Sequence, residues 1–332
     1  MNGHANSRKQ AEPARQAEPA RQAGPTRKAG PTRQTESRFG FAAIIGAPNA
    51  GKSTLVNQLV GRQISIVTKK VQTTRLVLTG LFCRGACQVA LIDTPGLFKP
   101  ANRLGHAMVS AAGDSARRAD LVVVVFDASR NLDHHDTMLE TVPFQSGLPV
   151  IAVMNKIDRM AREKLLPQAE KLGQQNRFDH IMMVSARNGD GCEALASLLA
   201  ELMPPGIWHY PQNQQSDLNE QMMASELTRK QILLQTHQEL PYGCMVRPES
   251  WRYLKGGLVR IEQQILVDRM SHRKIILGAK GQRLKRIGMA ARRAIAQSIG
   301  REVQLFLHVK YAPKWQERQE HYTAMGLRYD GA

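Results

Sequence analysis

Five short apolar runs, most followed by turn-forming or phosphate-type residues, dominate the first two thirds of the chain. They are FAAII (41–45), VALI (89–92), LVVVVF (121–126), VIAVM (150–154) and IMMV (181–184). Helix-length amphipathic stretches, 103–118, 161–175 and 192–202, are interleaved with them. A strand apolar at every position must be buried on both faces, and strands alternating with helices predict a mostly parallel sheet covered on each side. LTGLF (78–82) and QVALI (88–92) flank Arg84-Gly85-Ala86, which predicts one antiparallel hairpin inside that sheet. Past residue 216 the pattern changes to an α+β module. Residues 217–238 and 282–299 read as helices, while 257–267 and 302–309 read as strands. In the second helix Leu284, Ile287, Ala291, Ile295 and Ile299 share one face, with Arg286, Arg292 and Arg293 away from it.

The 332 residues suit two domains at ~150 residues each. The Pro-rich run 203–211 breaks the last helix of the first and marks a linker. Residues 11–34 are four consecutive hexads, AEPARQ, AEPARQ, AGPTRK and AGPTRQ, with almost no large apolar side chain. Such a segment cannot offset its conformational entropy by burial, so a disordered basic tail is expected; a transit peptide is disfavoured by the three Glu residues of 1–37 and the missing apolar helical face. The expected division is a tail over 1–37, an α/β domain over 38–203, a linker over 204–216 and an α+β domain over 217–332.

The formal net charge is +18, and residues 268–301 alone hold ten basic side chains and one acid. That excess points to a polyanion, either nucleic acid or an anionic membrane surface. The apolar runs fall far short of the ~20 residues of a membrane span, and no secretory h-region follows the N-terminus. Four cysteines without CxxC spacing argue against a zinc module or disulfide scaffold and for a reducing, cytoplasmic compartment.

Gly46-Ala47-Pro48-Asn49-Ala50-Gly51-Lys52-Ser53 matches G-x-x-x-x-G-K-[ST] between a strand and a helix. Its glycines let backbone N–H groups curl around a β-phosphate, Lys52 supplies a point charge, and the Ser53 hydroxyl completes a Mg²⁺ shell. Asp93-Thr94-Pro95-Gly96 ends strand 89–92, placing a carboxylate near Mg²⁺ through water and the Gly96 N–H near a γ-phosphate. Asn155-Lys156-Ile157-Asp158 ends strand 150–154. The Asp158 carboxylate can accept from guanine N1–H and N2–H₂, a donor pair that adenine lacks. Ser185-Ala186 fits a backbone N–H contact to guanine O6. Together these predict a GTP/GDP site with Mg²⁺.

A switch loop is expected between the first helix and strand 78–82, where Lys69 to Arg75 include Thr73 and Thr74. One of these threonines should cap Mg²⁺, and the sequence does not settle which. Leu97 follows Asp93-Thr94-Pro95-Gly96 where a polarising Gln stands in Ras-like enzymes, so slow hydrolysis is expected. Asn49 is a candidate for holding K⁺ beside the phosphates.

These motifs, with Gln72-Thr73-Thr74-Arg75, resemble the Era group of bacterial GTPases. The second half agrees, through Glu239-Leu240-Pro241-Tyr242 and Ile276-Leu277-Gly278-Ala279-Lys280-Gly281. The resemblance, over about 40–328, implies a P-loop GTPase domain and a C-terminal type II KH domain that binds the 3′ end of small-subunit 16S rRNA. It further implies a monomer acting in 30S subunit assembly. The hexad tail and Arg187 depart from the family's pattern. A G-x-x-G loop lets the backbone approach a nucleic-acid strand. Arg273, Lys274, Gly278, Ala279, Lys280, Gly281, Arg283, Lys285 and Arg286 form the expected RNA track, Arg269 adds to it upstream, and Lys310, Tyr311 and Lys314 extend it. A membrane-surface GTPase, peripheral on the inner membrane and using the same charges against anionic lipid, is the other reading.

Overall fold

The computed structural model describes residues 36–70, 73–130, 147–236 and 243–329. The hexad tail, Val71, Gln72 and Glu239 to Tyr242 lie outside the described residues.

Six strands make the first sheet: β1 (Arg38–Gly46), β2 (Leu78–Arg84), β3 (Cys87–Asp93), β4 (Leu121–Asp127), β5 (Val150–Asn155) and β6 (His180–Val184). Their order is β2-β3-β1-β4-β5-β6, and every pairing is parallel except the β2–β3 hairpin. The central strands β4 and β5 are buried along their whole length, as their unbroken apolar runs require. Helices α1 (Lys52–Val60) and α4 (Cys192–Leu202) cover one face through Leu55, Val56, Leu195 and Leu199. Helices α2 (Arg103–Arg118) and α3 (Leu165–Gly173) cover the other through Ala112, Ala116, Leu165 and Leu172.

The second module runs α5 (Glu220–Gln235), β7 (Cys244–Tyr253), β8 (Val259–Val267), α6 (Met270–Leu277), α7 (Gln282–Ile299) and β9 (Val303–Tyr311). Its sheet order is β7-β8-β9, antiparallel and then parallel, and this α-β-β-α-α-β order is that of a type II KH domain. Strand β8 alternates buried and half-buried residues, so one sheet face is closed, and Ile287, Ala291 and Ile295 of α7 are fully buried. Burying each isoleucine contributes roughly 1.5–3 kcal/mol.

The linker is not a loose tether. Residues 204–217 run from the start of β1 to β2: Phe39 N–H donates to the Pro204 carbonyl at 3.3 Å and Leu81 N–H to the Gln215 carbonyl at 2.9 Å. Gln88, a fully buried amide inside a strand, accepts from the His209 and Tyr210 N–H groups at 3.2 and 3.1 Å and donates to the Tyr210 carbonyl at 2.9 Å. After β9 the chain turns through α8 (Gln319–Ala324). Trp315, Tyr322, Met325 and Leu327 then pack with Leu76 and with Leu104 and Met108 of α2, joining both modules in one core.

Candidate nucleotide and RNA sites

All four nucleotide motifs lie at the carboxyl ends of parallel strands, where open α/β sheets bind ligands. The first follows β1. Gly51 has φ 102°, and a Cβ there would stand 2.2 Å from Asn155 Nδ2, so the turn excludes any larger residue. Lys52 is buried, and its Nζ donates to the Gly46 and Ala47 carbonyls, both at 2.9 Å. Burial lowers its pKa to about 8, against the pull of Asp93. A phosphate beside it would raise the pKa again by favouring the charged form.

Asp93 ends β3 with no exposed surface, and neither carboxylate oxygen makes a hydrogen bond among the described residues. Burial pushes its pKa up, opposed by the nearby Ser53 and Ser65 hydroxyls and the Lys52 ammonium. A buried carboxylate with two unmatched acceptors is costly unless a cation or its waters meet it. Ser53 Oγ and Thr74 Oγ1 lie 2.7 Å apart, so two hydroxyls and this carboxylate form an all-oxygen set that fits Mg²⁺. Thr73 is placed differently, its Oγ1 lying 2.6 Å from both Thr68 Oγ1 and the Lys70 carbonyl. The geometry therefore separates the two threonines where the sequence did not. Thr94 Oγ1 donates to the Ile44 carbonyl at 2.7 Å, and Gly96 lies against Pro48.

Leu97 is buried, and its N–H donates to the Gly46 carbonyl at 2.9 Å. Its side chain packs in the core with Ile45 and Ala112. Leu97→Gln is therefore expected to bury an amide at a cost of roughly 1–3 kcal/mol without speeding hydrolysis. Thermal melting and single-turnover rates check this, and a faster variant would show that position 97 reaches the reacting water.

The base-site residues are tied together by Asn155, itself buried. Its Nδ2 donates to the Ala50 carbonyl at 2.9 Å, and its Oδ1 accepts from the Lys156 N–H at 2.8 Å and the Ala186 N–H at 3.0 Å. Lys156, at φ 68°, reaches across the motif to the Asn49 carbonyl and to Asp127 Oδ2. Sequence reasoning missed Asp127. Burial raises its pKa, but Lys156 and Ser129 more than offset this and hold it below the usual carboxylate range. Asp158 is exposed, and its Oδ1 accepts from the buried Ser185 hydroxyl at 2.7 Å. Ile157 opens the short turn that carries Asp158, and Pro95 stands between Thr94 and Gly96. The Asn49 amide Nδ2 donates to the Lys69 carbonyl at 3.3 Å, joining the phosphate loop to the switch segment.

In the KH module the loop joining α6 to α7 has Gly278, Lys280 and Gly281 at φ 67°, 46° and 74°. A Cβ at Gly278 would stand 2.7 Å from Arg283 Cβ, so helix α7 packs directly on the turn. Arg269, Arg273, Lys274, Ala279, Lys280, Lys285 and Arg286 are exposed on this end, as are Lys310, Tyr311 and Lys314. Arg283 differs: it is half-buried, and its Nη1 donates to the Ile275 carbonyl at 2.6 Å, closing α6.

A sequence profile described as 50S ribosome-binding GTPase matches residues 41–156, and one described as KH domain matches residues 239–316. The chain is 47% identical to GTPase Era of Brucella suis over 296 residues, 89% of this chain and 95% of that one. It is 42% identical to GTPase Era of Maricaulis maris over 311 residues, 89% and 99% of the respective chains. The crystal structure of Era in complex with MgGDPNP and nucleotides 1506–1542 of 16S ribosomal RNA aligns with a TM-score of 0.83 at 32% identity, over 89% of this chain and all of that one. A variant of Aquifex aeolicus Era bound to GDP and AlF4⁻ aligns with a TM-score of 0.83, also at 32% identity and over 89% of this chain. Similarity at this level, spanning the nucleotide-site fold and the KH fold together, leaves one assignment: the chain belongs to the Era family of GTPases.

Proposed function

We propose that this GTPase binds 16S rRNA near its 3′ end through the KH loop and acts in assembly of the 30S subunit in the cytoplasm, as a monomer. The observation that carries the proposal is the exposed basic end around Gly278–Gly281, on a chain whose relative is seen with MgGDPNP and 16S rRNA nucleotides. Residues 38–203 serve as the GTPase domain, 204–216 as the linker and 217–332 as the KH domain.

At the nucleotide site Gly46 to Ser53 cradle the phosphates, and Lys52 neutralises them. Ser53 and Thr74 hold Mg²⁺ directly and Asp93 through water. Mg²⁺ supplies neutralisation of the charge that develops on the phosphate oxygens. The Gly96 N–H turns toward the γ-phosphate. Asp158 reads guanine, with Ser185 orienting its carboxylate and Ala186 near the base. Asn49 Oδ1 takes K⁺. Among the described residues no helix is long and apolar enough to cross a membrane. Anionic lipid vesicles therefore enter the test as the competing partner.

Binding of a single-stranded 16S 3′-end RNA is measured with GDP and with a non-hydrolysable GTP analogue, with and without phosphatidylglycerol vesicles. The two nucleotide states are expected to differ in RNA affinity by about fivefold or more, since coupling between sites typically reaches 1–3 kcal/mol. Equal affinities would leave two independent modules on one chain, and displacement of the RNA by vesicles would favour the lipid reading.

A further inference from the structure

The switch segment is fastened from both sides. Thr74 faces the phosphate loop through Ser53, while its two neighbours face the KH module. Arg75 Nη1 donates to the Cys244 carbonyl at the start of β7, at 2.8 Å. The Thr73 carbonyl accepts from Arg229 Nη2, on α5. Arg229 is 2% exposed and is held in place by Glu226, with Nε 2.8 Å from Oε1. Helix α5 is fixed in turn by Leu227, Ile232 and Leu233 in the KH core and by Thr228 Oγ1, which donates to Gln263 Oε1 at 2.6 Å.

A buried guanidinium is costly to keep, and a core this well packed would accept an apolar side chain at that position. Its carbonyl contact lies one residue before the hydroxyl that meets Ser53. We propose that Arg229 is a positioning residue for GTP hydrolysis: from the KH module it holds the Thr73 carbonyl, and thereby keeps the Thr74 hydroxyl at the Mg²⁺ site. The proposal rests on the reading of Thr74 as a Mg²⁺ ligand. A switch segment freed of this contact still leaves the phosphate loop and base site intact, so GDP binding does not depend on it.

The test uses the full chain with Arg229→Met combined with Glu226→Gln, which removes both charges of the pair together. GDP affinity and the melting temperature of the GDP-bound protein are expected to stay near those of the parent. Single-turnover GTP hydrolysis is expected to fall about tenfold or more, the loss of one charge-assisted hydrogen bond, and the Mg²⁺ concentration for half-maximal rate to rise in step. Hydrolysis and Mg²⁺ requirement equal to the parent's would overturn the proposal. So would an equal loss in Glu226→Gln alone, which keeps the guanidinium on Thr73. Where the double variant fails to fold, Arg229→Lys carries the same test, because it retains the charge opposite Glu226 without reaching both acceptors. Thr74→Ala is run in parallel: a parental rate there would sink the reading of Thr74, whatever the Arg229 variants do.

Discussion

Asp158→Asn is expected to move nucleotide preference from GTP toward XTP. Asp158 is exposed at the end of β5, and one of its oxygens accepts from the Ser185 hydroxyl. Two acceptor oxygens suit guanine N1–H and N2–H₂. An amide replaces one acceptor by a donor, which opposes the guanine amino group and matches the O2 of xanthine. Removing a charged bidentate interaction costs roughly 1.5–3 kcal/mol or more, at least a tenfold drop in GTP affinity. Competition between GTP and XTP for the purified variant reads this directly. Asn155, Lys156 and the Ser185 hydroxyl stay in place, so the fold of the site should survive. Unchanged GTP affinity would mean that the base is read elsewhere.

Ala279→Asp with Lys280→Asp should weaken RNA binding severely, with a flatter salt slope in what remains, while basal hydrolysis persists. Both side chains are exposed at the loop tip, and the changes set two carboxylates against RNA phosphates while removing a cation. Lys280 has φ 46°, a left-handed conformation that Asp adopts more readily than most residues, so the backbone is not further strained. Every phosphate that the loop no longer neutralises should shallow the log–log salt dependence by about 0.7 for single-stranded RNA. Binding of 16S 3′-end RNA across a salt series, with RNA-free GTP turnover as the control, measures both halves. Normal binding by the double variant would make the basic cluster a solvated face and remove the KH loop from the RNA site.

What the sequence made legible follows from how local each signal is. Unbroken apolar runs such as 121–126 announced the buried parallel strands, and the helical spacing of Ile287, Ala291 and Ile295 announced the face of α7, because burial leaves a periodic trace in the chain itself. The nucleotide motifs were legible for the same reason: each is a short run whose chemistry is carried by adjacent residues. Contacts between distant residues leave no such trace. Nothing around Arg229 signals that it reaches Thr73, or around Arg75 that it reaches Cys244. Gln88 reads as a strand residue, and only the folded chain shows its amide holding the linker. Arg283 counts as one more cation of a basic run until its bond to the Ile275 carbonyl sets it apart from Lys285 and Arg286. The choice between Thr73 and Thr74 likewise requires the position of Ser53.

The fastening of residues 204–217 to β1, β3 and β2 changes where the nucleotide-binding half can be cut from the rest. A chain ending at Met203 would strip Phe39 and Leu81 of their backbone partners and uncover the amide of Gln88, which loses its bonds to His209 and Tyr210. Autonomous folding of that half therefore needs the segment through Asp217, whose carboxylate accepts from the Thr79 N–H at 2.8 Å. Pro204 and Pro205 keep exposed side chains, so it is the backbone of this segment, paired to Phe39 and Leu81, that a cut there would release.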